Sequence, residues 1–339
     1  MAANPDVAPI APGPAPEARR STLDTVGRRV ADRPVYALVV VLIALLVGGE
    51  IASSNFLSGG QLSNMLLFAA PLALLGAGQT LVMLTGGIDL SVAGTATAAA
   101  YIMAGQGSHG TVTAILIGLA VGVVVGLVNG IGIGVFGVQP LIMTLGISSI
   151  LIGVLTINAQ NFINGVPLVP SVIQHLGAGR QLSYIPNNLI VWIPIAVLII
   201  VGLRASGFGR AIYAIGDNRT ACELAGVRVW QALVLVYTLC GLLAAVAGIL
   251  LVGYTNAADL GLADPYLLPS IAAVVIGGTS IFGGSGGYTG TIMGALILTV
   301  LDNLLVVLNA SEAIKQMLYG AIVVLLAAFY VKASRQAAS

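Results

Sequence analysis

The chain has 339 residues, of which 58% are hydrophobic and only 7% charged, with a formal net charge of +1. A soluble domain carries roughly a quarter charged residues, so this composition excludes a soluble globular protein and predicts that lipid surrounds most of the chain. Two cysteines, Cys222 and Cys240, are too few for a disulfide scaffold and lack metal-ligand spacing.

In chain order, the first predicted element is a disordered cytoplasmic tail over 1–34, which is rich in proline, alanine and arginine. After it, continuous apolar runs such as "LIVWIPIAVLIIVGL" indicate helices, because a transmembrane β-barrel would alternate apolar and polar residues. The fold class is therefore an all-α polytopic membrane protein. The ten predicted helices cover 36–53, 62–84, 90–105, 112–136, 140–159, 189–204, 229–253, 266–281, 288–309 and 314–331.

Lysine and arginine predict the orientation of these spans, since cytoplasmic loops carry an excess of both. Five arginines precede the first span, four follow the sixth, and a lysine and an arginine follow the last. With ten spans these clusters share one side, so both termini are expected in the cytoplasm. The membrane domain then covers 35–332, with a periplasmic loop at 160–188, a cytoplasmic loop at 205–228 and a cytoplasmic C-terminal tail at 333–339.

The long cytoplasmic loop contains a predicted helix of about two turns. Asp217 and Asn218 are good helix initiators, and Thr220 and Glu223 have the spacing of an S/T-x-x-E/Q capping box. Gly226 stands where a C-terminal cap is expected. Two interpretations are open: an ordinary amphipathic connector, or a docking helix for a cytoplasmic partner.

This loop and the spans after it read "GRAIYAIGDNRTACELAGVRVWQALVLVYTLCGLLAAVAGILL", followed by "IAAVVIGGTSIFGGSGGYTGTIMGALIL". Earlier segments read "TGGIDLSVAG", "GLVNG" and "QPLIMTLG". Over roughly 36–332, these ordered motifs closely resemble the membrane subunits of bacterial ABC importers for monosaccharides, of the ribose, xylose and galactoside type.

The resemblance implies a homodimeric pore related to the cobalamin-importer permeases, with about ten helices per chain. It also implies a periplasmic sugar-binding protein that delivers substrate and cytoplasmic ATP-binding subunits that drive the cycle. In this scheme the short helix of the cytoplasmic loop docks into the ATP-binding subunit. The residues given this coupling role are Asn218, Arg219, Thr220, Glu223, Ala225 and Gly226.

Asp89 and Asp302 are the acidic residues that interrupt the apolar pattern most sharply. Asp89 follows two glycines that can end a helix, so it either caps the next helix by accepting the N–H of Ser91 or Val92, or contacts substrate. Capping at low cost near the cytoplasmic interface is favoured. Asp302 lies inside a predicted helix with no lysine or arginine close in sequence, so it should face a partner or a wet cavity.

Polar residues are also needed along the path of a hydroxylated solute. The residues predicted to line the path or its gate are Asp89, Asn129, Gln139, Thr144, Asp302 and Asn303, with Gln79 and Tyr101 as weaker candidates. The alternative for each is an interhelical hydrogen bond. A glycine pattern recurs at 86–95 and 283–291, both at predicted cytoplasmic ends of spans, and hints at a duplication.

Other function classes have less support. No Walker A sequence occurs, so ATP hydrolysis is expected from a separate subunit, and the chain itself is not expected to be an enzyme. No cofactor or metal site is expected, and His109 and His175 are interpreted as surface residues. The alternative function is an ion-coupled secondary transporter of a small polar solute, with Asp302 as its ionisable residue. The predicted location is the bacterial inner membrane, with lipid and a second copy of the chain as partners and no nucleic acid.

Overall fold

The structure is a computed structural model, and it describes residues 34–162, 169–181 and 183–338. The predicted tail lies outside these residues except for Pro34, which begins the first helix. The first five helices are α1 (Pro34–Ala52), α2 (Gly59–Leu84), α3 (Val92–Gly105), α4 (Thr111–Gly134) and α5 (Pro140–Phe162).

A short helix, a small hairpin and two helices that meet at a bend follow. These elements are α6 (Ser171–Ala178), β1 (Arg180–Gln181), β2 (Ile185–Pro186), α7 (Leu189–Ala205) and α8 (Gly207–Asp217). The strands pair antiparallel. The remaining helices are α9 (Arg219–Leu224), α10 (Val229–Thr255), α11 (Leu267–Ile276), α12 (Tyr288–Val307) and α13 (Glu312–Ala338). Single turns of 3-10 helix lie at Gly107–His109 and Asp264–Tyr266.

Each of the ten predicted windows contains a helix, although two boundaries differ clearly. The window 266–281 stops early, at Ile276, because Gly278 adopts a φ of +84° that ends the helix. The final helix continues to Ala338, through most of the segment predicted as a C-terminal tail. Helix α8 was not predicted; it starts at a bend of 69° after α7, where the Ser206 hydroxyl accepts the N–H of Gly209 at 2.9 Å.

Among the described residues, five helices are long and apolar enough to cross a membrane: α2, α4, α5, α10 and α12. The bent pair α7–α8 adds a sixth if it is counted as one span. The apolar helices thus indicate a multi-pass membrane protein, whereas the count of ten spans and the side of each terminus stay predictions.

Helix α10 lies at the centre of the fold and packs against α2, α3, α4 and α6. Its contact with α4 is close because glycine recurs every fourth residue of α4. A Cβ on Gly122 would overlap with the carbonyl of Gly241, and one on Gly126 would overlap with that of Tyr237. Small residues at this spacing let membrane helices approach closely. The approach places Asn129 of α4 and Tyr237 of α10 beside the α2–α3 linker.

Candidate functional site

The α2–α3 linker carries the first candidate site, and glycine shapes its entry. Gly86 has a φ of +80°, and its N–H donates to Met83 O at 2.9 Å while the N–H of Gly87 donates to Val82 O at 3.2 Å. This pair of bonds is a Schellman motif, which satisfies the last carbonyls of a helix. The chain therefore leaves α2 sharply and turns Asp89 into the protein.

Asp89 is only 1% exposed, and its carboxylate is held by the next turn of chain. Its Oδ1 accepts the Ser91 N–H at 2.8 Å and the Ser91 hydroxyl at 2.6 Å. Ser91 Oγ in turn accepts from Asn129 Nδ2 at 2.8 Å. The Cys240 side chain lies beside the carboxyl group. The expected bond from Ser91 N–H is present, but Ser91 itself is the N-cap of α3, so Asp89 lies two residues before the cap and holds the cap residue.

The same linker is fixed from both sides by polar side chains. Gln79 Nε2 donates to the Asp89 carbonyl at 2.6 Å, and Gln79 Oε1 accepts the Asp89 N–H at 3.3 Å. On the opposite side, Thr144 Oγ1 accepts the N–H of Leu90 at 3.0 Å and donates to Pro140 O at 2.9 Å. We define the linker cluster as Gln79, Asp89, Ser91, Asn129 and Thr144.

Burial corrects one part of the sequence interpretation. A low cost for Asp89 is expected near the interface, but the residue is enclosed, and its carboxylate depends on the two donors of Ser91. Tyr237 lies against the same linker, where its hydroxyl is buried with no hydrogen-bond partner among the described residues. A Cβ on Gly87 would overlap with that hydroxyl. Sequence reasoning missed Tyr237 and Cys240, because both look like ordinary residues of an apolar helix.

Asp302 lies in a separate place, near the end of α12. Its Oδ1 lies 3.0 Å from Lys315 Nζ and accepts the Tyr319 hydroxyl at 2.9 Å, both from α13. Lys315 Nζ is also 3.6 Å from Glu312 Oε2. The Asp302 side chain is 41% exposed, and it lines a cavity of about 180 Å³. The sequence left two alternatives for Asp302, a partner or a wet cavity; in the structure it has a charged partner from the next helix and also lines a cavity.

The remaining predicted path residues do not join either group. Asn303 donates to the Thr299 carbonyl at 2.8 Å and accepts from Gln61 Nε2 at 3.1 Å, so it links α12 to α2. The Tyr101 hydroxyl donates to the Ala159 carbonyl at 3.2 Å. Gln139 is exposed just before α5. For Asn303 and Tyr101, the structure displays the interhelical hydrogen bonds that were weighed as the alternative to a path role.

The predicted coupling residues lie on and around α9. Asn218 Oδ1 accepts the Ala221 N–H at 2.9 Å, which makes Asn218 the N-cap. The capping box proposed at Thr220 is therefore wrong. Glu223 turns away from it and accepts from Arg219 Nε at 3.0 Å, one helical turn earlier. Both residues are about half exposed, at 49% and 52%.

The C-terminal end of α9 agrees with the prediction for Gly226. Its φ is +81°, its N–H donates to Glu223 O at 3.1 Å, and the Val227 N–H donates to Cys222 O at 3.0 Å, which forms a Schellman motif after Ala225. Leu224 is 85% exposed. Helix α9 is thus a six-residue surface helix with a cap at each end and an exposed leucine.

Helix α8 connects α9 to both glycine-rich segments. The Gly284 N–H donates to Leu84 O at 3.1 Å, which joins the segment before α12 to the end of α2. A Cβ on Gly283 would lie 2.9 Å from Gly86 N, and one on Gly216 would overlap with Leu84 O. The last turn of α8 can approach both segments closely because Gly216 and Gly283 have no side chain at the contact. We call this contact of Leu84, Gly86, Gly216, Gly283 and Gly284 the glycine junction.

The fold consists of apolar helices around a buried, hydrogen-bonded carboxylate, with a short capped helix on the surface. These features define a multi-pass membrane protein. Comparison with known proteins gives the family. Residues 61–327 match the family described as "Branched-chain amino acid transport system / permease component". The chain therefore belongs to this family of ABC permease components.

Several curated proteins are similar over most of the chain. The ribose import permease protein RbsC of Escherichia coli (strain K12) is 38% identical over 316 residues, which cover 89% of this chain and 95% of that protein. The protein of the same name from Bacillus subtilis (strain 168) is 34% identical over 312 residues, 91% of this chain and 94% of that protein. The fructose import permease protein FrcC of Rhizobium meliloti is 33% identical over 280 residues, 78% and 76% respectively. No solved structure matches this chain.

Proposed function

We propose that this chain is the transmembrane subunit of an ATP-driven, binding-protein-dependent importer and forms the path for a monosaccharide. The similarity to ribose and fructose import permeases along most of the chain supports the substrate class. One structural observation carries the mechanism: α9 is exposed, capped at both ends, and joined through α8 to the glycine junction.

The proposal includes ten spans, cytoplasmic termini, a cobalamin-importer-like fold, a homodimer and the bacterial inner membrane. The distribution of charge supports the orientation. Arg180 Nε donates to Ser63 Oγ at 3.0 Å near the start of α2, whereas the end of α2 meets α8, which leads to Arg219 on α9. Lysine and arginine favour the cytoplasmic side. The end with α9 holds more arginines, so it is assigned to the cytoplasm.

Movement of α9 by an ATP-binding subunit would reach the linker cluster through few contacts. Helices α8 and α9 are separated by Asn218 alone, so a displacement of α9 moves Gly216 against Leu84 O. Leu84 is five residues before Asp89, and the intervening turn is held by the Schellman motif at Gly86. The linker cluster is therefore proposed to close the cytoplasmic end of the path, with Asp89 as a structural part of that gate.

A pull-down of the tagged chain from its native membrane tests this proposal. The parent is expected to retain a soluble ATPase, detected by ATP hydrolysis and mass spectrometry. The double variant Glu223→Arg, Gly226→Trp and the single variant Leu224→Asp are expected to lose it. Leu224→Asp keeps both caps of α9, so its loss of the ATPase would not reflect an unfolded helix.

Asp259→Arg is the matched control, since it also reverses an exposed acidic residue but lies in the loop after α10. This control is expected to retain the ATPase. If every version of the chain lacks an ATPase while sugar uptake in cells is intact, the importer proposal is wrong and an ion-coupled transporter replaces it.

A further inference from the structure

A cavity lies at the end of the bundle opposite α9, where α2, α11, α12 and α13 meet. One wall is apolar and includes Phe68, Leu72 and Leu298. The other lining residues include Tyr266, Asp302 and Lys315, which we call the polar wall. A wall of each kind suits a solute with an apolar face and several hydroxyl groups, since specific pockets combine apolar lining with a few placed polar groups.

The polar wall has unused hydrogen-bonding capacity. Lys315 and Tyr319 both contact the same oxygen of Asp302, Oδ1. Within residues 34–162, 169–181 and 183–338, no donor is bonded to Asp302 Oδ2 or to the Tyr266 hydroxyl. Lys315 Nζ has three N–H groups, and its contact with Glu312 is long, at 3.6 Å. The polar wall can therefore accept a hydrogen bond from a ligand hydroxyl at Asp302 Oδ2, and Lys315 can donate a hydrogen bond to a ligand oxygen.

The charge and the volume of the cavity restrict the class of ligand that it can bind. Asp302 and Glu312 contribute two carboxylates against the single ammonium of Lys315, which leaves one net negative charge beside the cavity. A phosphorylated or carboxylated ligand is disfavoured by that charge. The volume of about 180 Å³ equals the share of roughly six water molecules at about 30 Å³ each. It is smaller than the ~300 Å³ at which pockets for drug-sized ligands begin.

We propose that this cavity is an outer binding site for one small, neutral, polyhydroxylated solute such as a single sugar ring. Asp302 Oδ2 accepts a ligand hydroxyl, Lys315 and Tyr266 donate to ligand oxygens, and Phe68 covers the apolar face of the ring. The assignment of this site rests on the proposed importer function, since the outer end of a sugar path exists only if the chain forms that path. Binding is weak, since a permeation route must release its cargo.

Thiol protection in nanodiscs tests the site on the full chain. Pro265 lines the cavity and is exposed, so Pro265→Cys introduces a reporter without changing the charge. Leu260→Cys is the matched control in the same loop, and the native Cys222 and Cys240 are both buried. The reagent is a cationic methanethiosulfonate, and the probes are D-ribose, D-ribose 5-phosphate and ethylammonium.

D-ribose is expected to slow modification at position 265 by roughly twofold when its concentration equals its Kd, with no change at position 260. D-ribose 5-phosphate at the same concentration is expected to protect less. Asp302→Asn in the Pro265→Cys background is expected to abolish protection while the rate at a cysteine at position 260 stays constant. If Asp302→Asn does not fold, Tyr266→Phe in the Pro265→Cys background replaces it. Tyr266→Phe is expected to weaken protection by D-ribose.

Equal rates at position 265 with and without D-ribose would overturn the site, and so would protection by ethylammonium alone, which would indicate a cation site. Uptake of labelled D-ribose and D-fructose by cells with the native partner subunits distinguishes failure of this site from failure of the importer proposal. If Pro265→Cys cells take up sugar without protection in nanodiscs, the site is wrong and the importer stands. If the parent takes up neither sugar, the monosaccharide proposal itself fails.

Discussion

Asp89 and Asp302 interrupt apolar segments in a similar way, yet the fold stabilises them by opposite means. Asp89 is enclosed and accepts two hydrogen bonds from Ser91, within its own linker. Asp302 is 41% exposed beside a cavity and takes a charged partner, Lys315, from the following helix. The comparison teaches that an acidic residue in a membrane chain can be enclosed among donors from its own segment, or left partly exposed with a charged partner from another helix.

The largest effect is expected where Asp89 is truncated. Asp89→Ala leaves the Ser91 N–H and hydroxyl without their acceptor in a buried place, and unsatisfied buried donors cost about 1–3 kcal/mol each. We expect a loss of about 2–6 kcal/mol in the free energy of unfolding. Asp89→Asn keeps an acceptor oxygen and serves as the control. The measurement is the midpoint of thermal unfolding in detergent, and equal midpoints for parent and Asp89→Ala would contradict the structural role of Asp89.

The next effect sharpens the view that the linker is tightly enclosed. Gly87→Ala places a methyl group against the Tyr237 hydroxyl and is expected to cost about 1–3 kcal/mol by overpacking. Tyr237→Phe removes a hydroxyl that has no partner among the described residues, so alone it should be neutral or stabilising. The double variant should recover most of the loss. A double-mutant cycle with no coupling between the two changes would show that the linker has room to adjust.

A smaller effect is expected at the open carboxylate. Lys315→Met leaves Asp302 with the Tyr319 hydroxyl and with water, so the loss should be about 1 kcal/mol or less. Because Lys315 is buried and only Asp302 is partly exposed, salt screens the pair weakly, and the difference between parent and variant should shrink only slightly from low to high sodium chloride. The loss caused by Asp89→Ala should not depend on salt. A large, salt-independent loss at Lys315 would mean that Asp302 is closed in the same way as Asp89.

These differences also explain what the sequence could predict. Helix positions follow from apolar windows, and Gly226 follows from its local turn, because both depend on residues close in sequence. The hydrogen bond from Ser91 N–H to Asp89 was predictable for the same reason. Local pattern alone was misleading at Thr220, where the capping box competes with an N-cap at Asn218 that the structure adopts.

Contacts between distant segments were beyond such reasoning. Nothing near Asp302 in sequence indicates Lys315, which lies in the first turn of the following helix and reaches Asp302 across the turn between α12 and α13. The glycine pattern recurs in the sequence at 86–95 and 283–291, but only the fold brings the two segments together, through the contact of Gly284 with Leu84 and the close approach of Gly216. Tyr237 gave no signal at all, since an isolated tyrosine in an apolar helix is ordinary.

The smallest effect on stability is expected at a third acid, Glu223, whose side chain is about half exposed. Its pair with Arg219 is an exposed i,i+4 contact, worth about 0.3–0.5 kcal/mol. Glu223→Gln should therefore leave the unfolding midpoint unchanged within error, whereas Asn218→Ala, which removes the N-cap of the same helix, should cost about 1 kcal/mol. Retention of the ATPase, measured on the same samples, is expected to fall for Glu223→Arg although that variant is as stable as Glu223→Gln. If ATPase retention simply followed the unfolding midpoint, α9 would contribute to folding alone, and the proposed docking role would have to move elsewhere on the cytoplasmic surface.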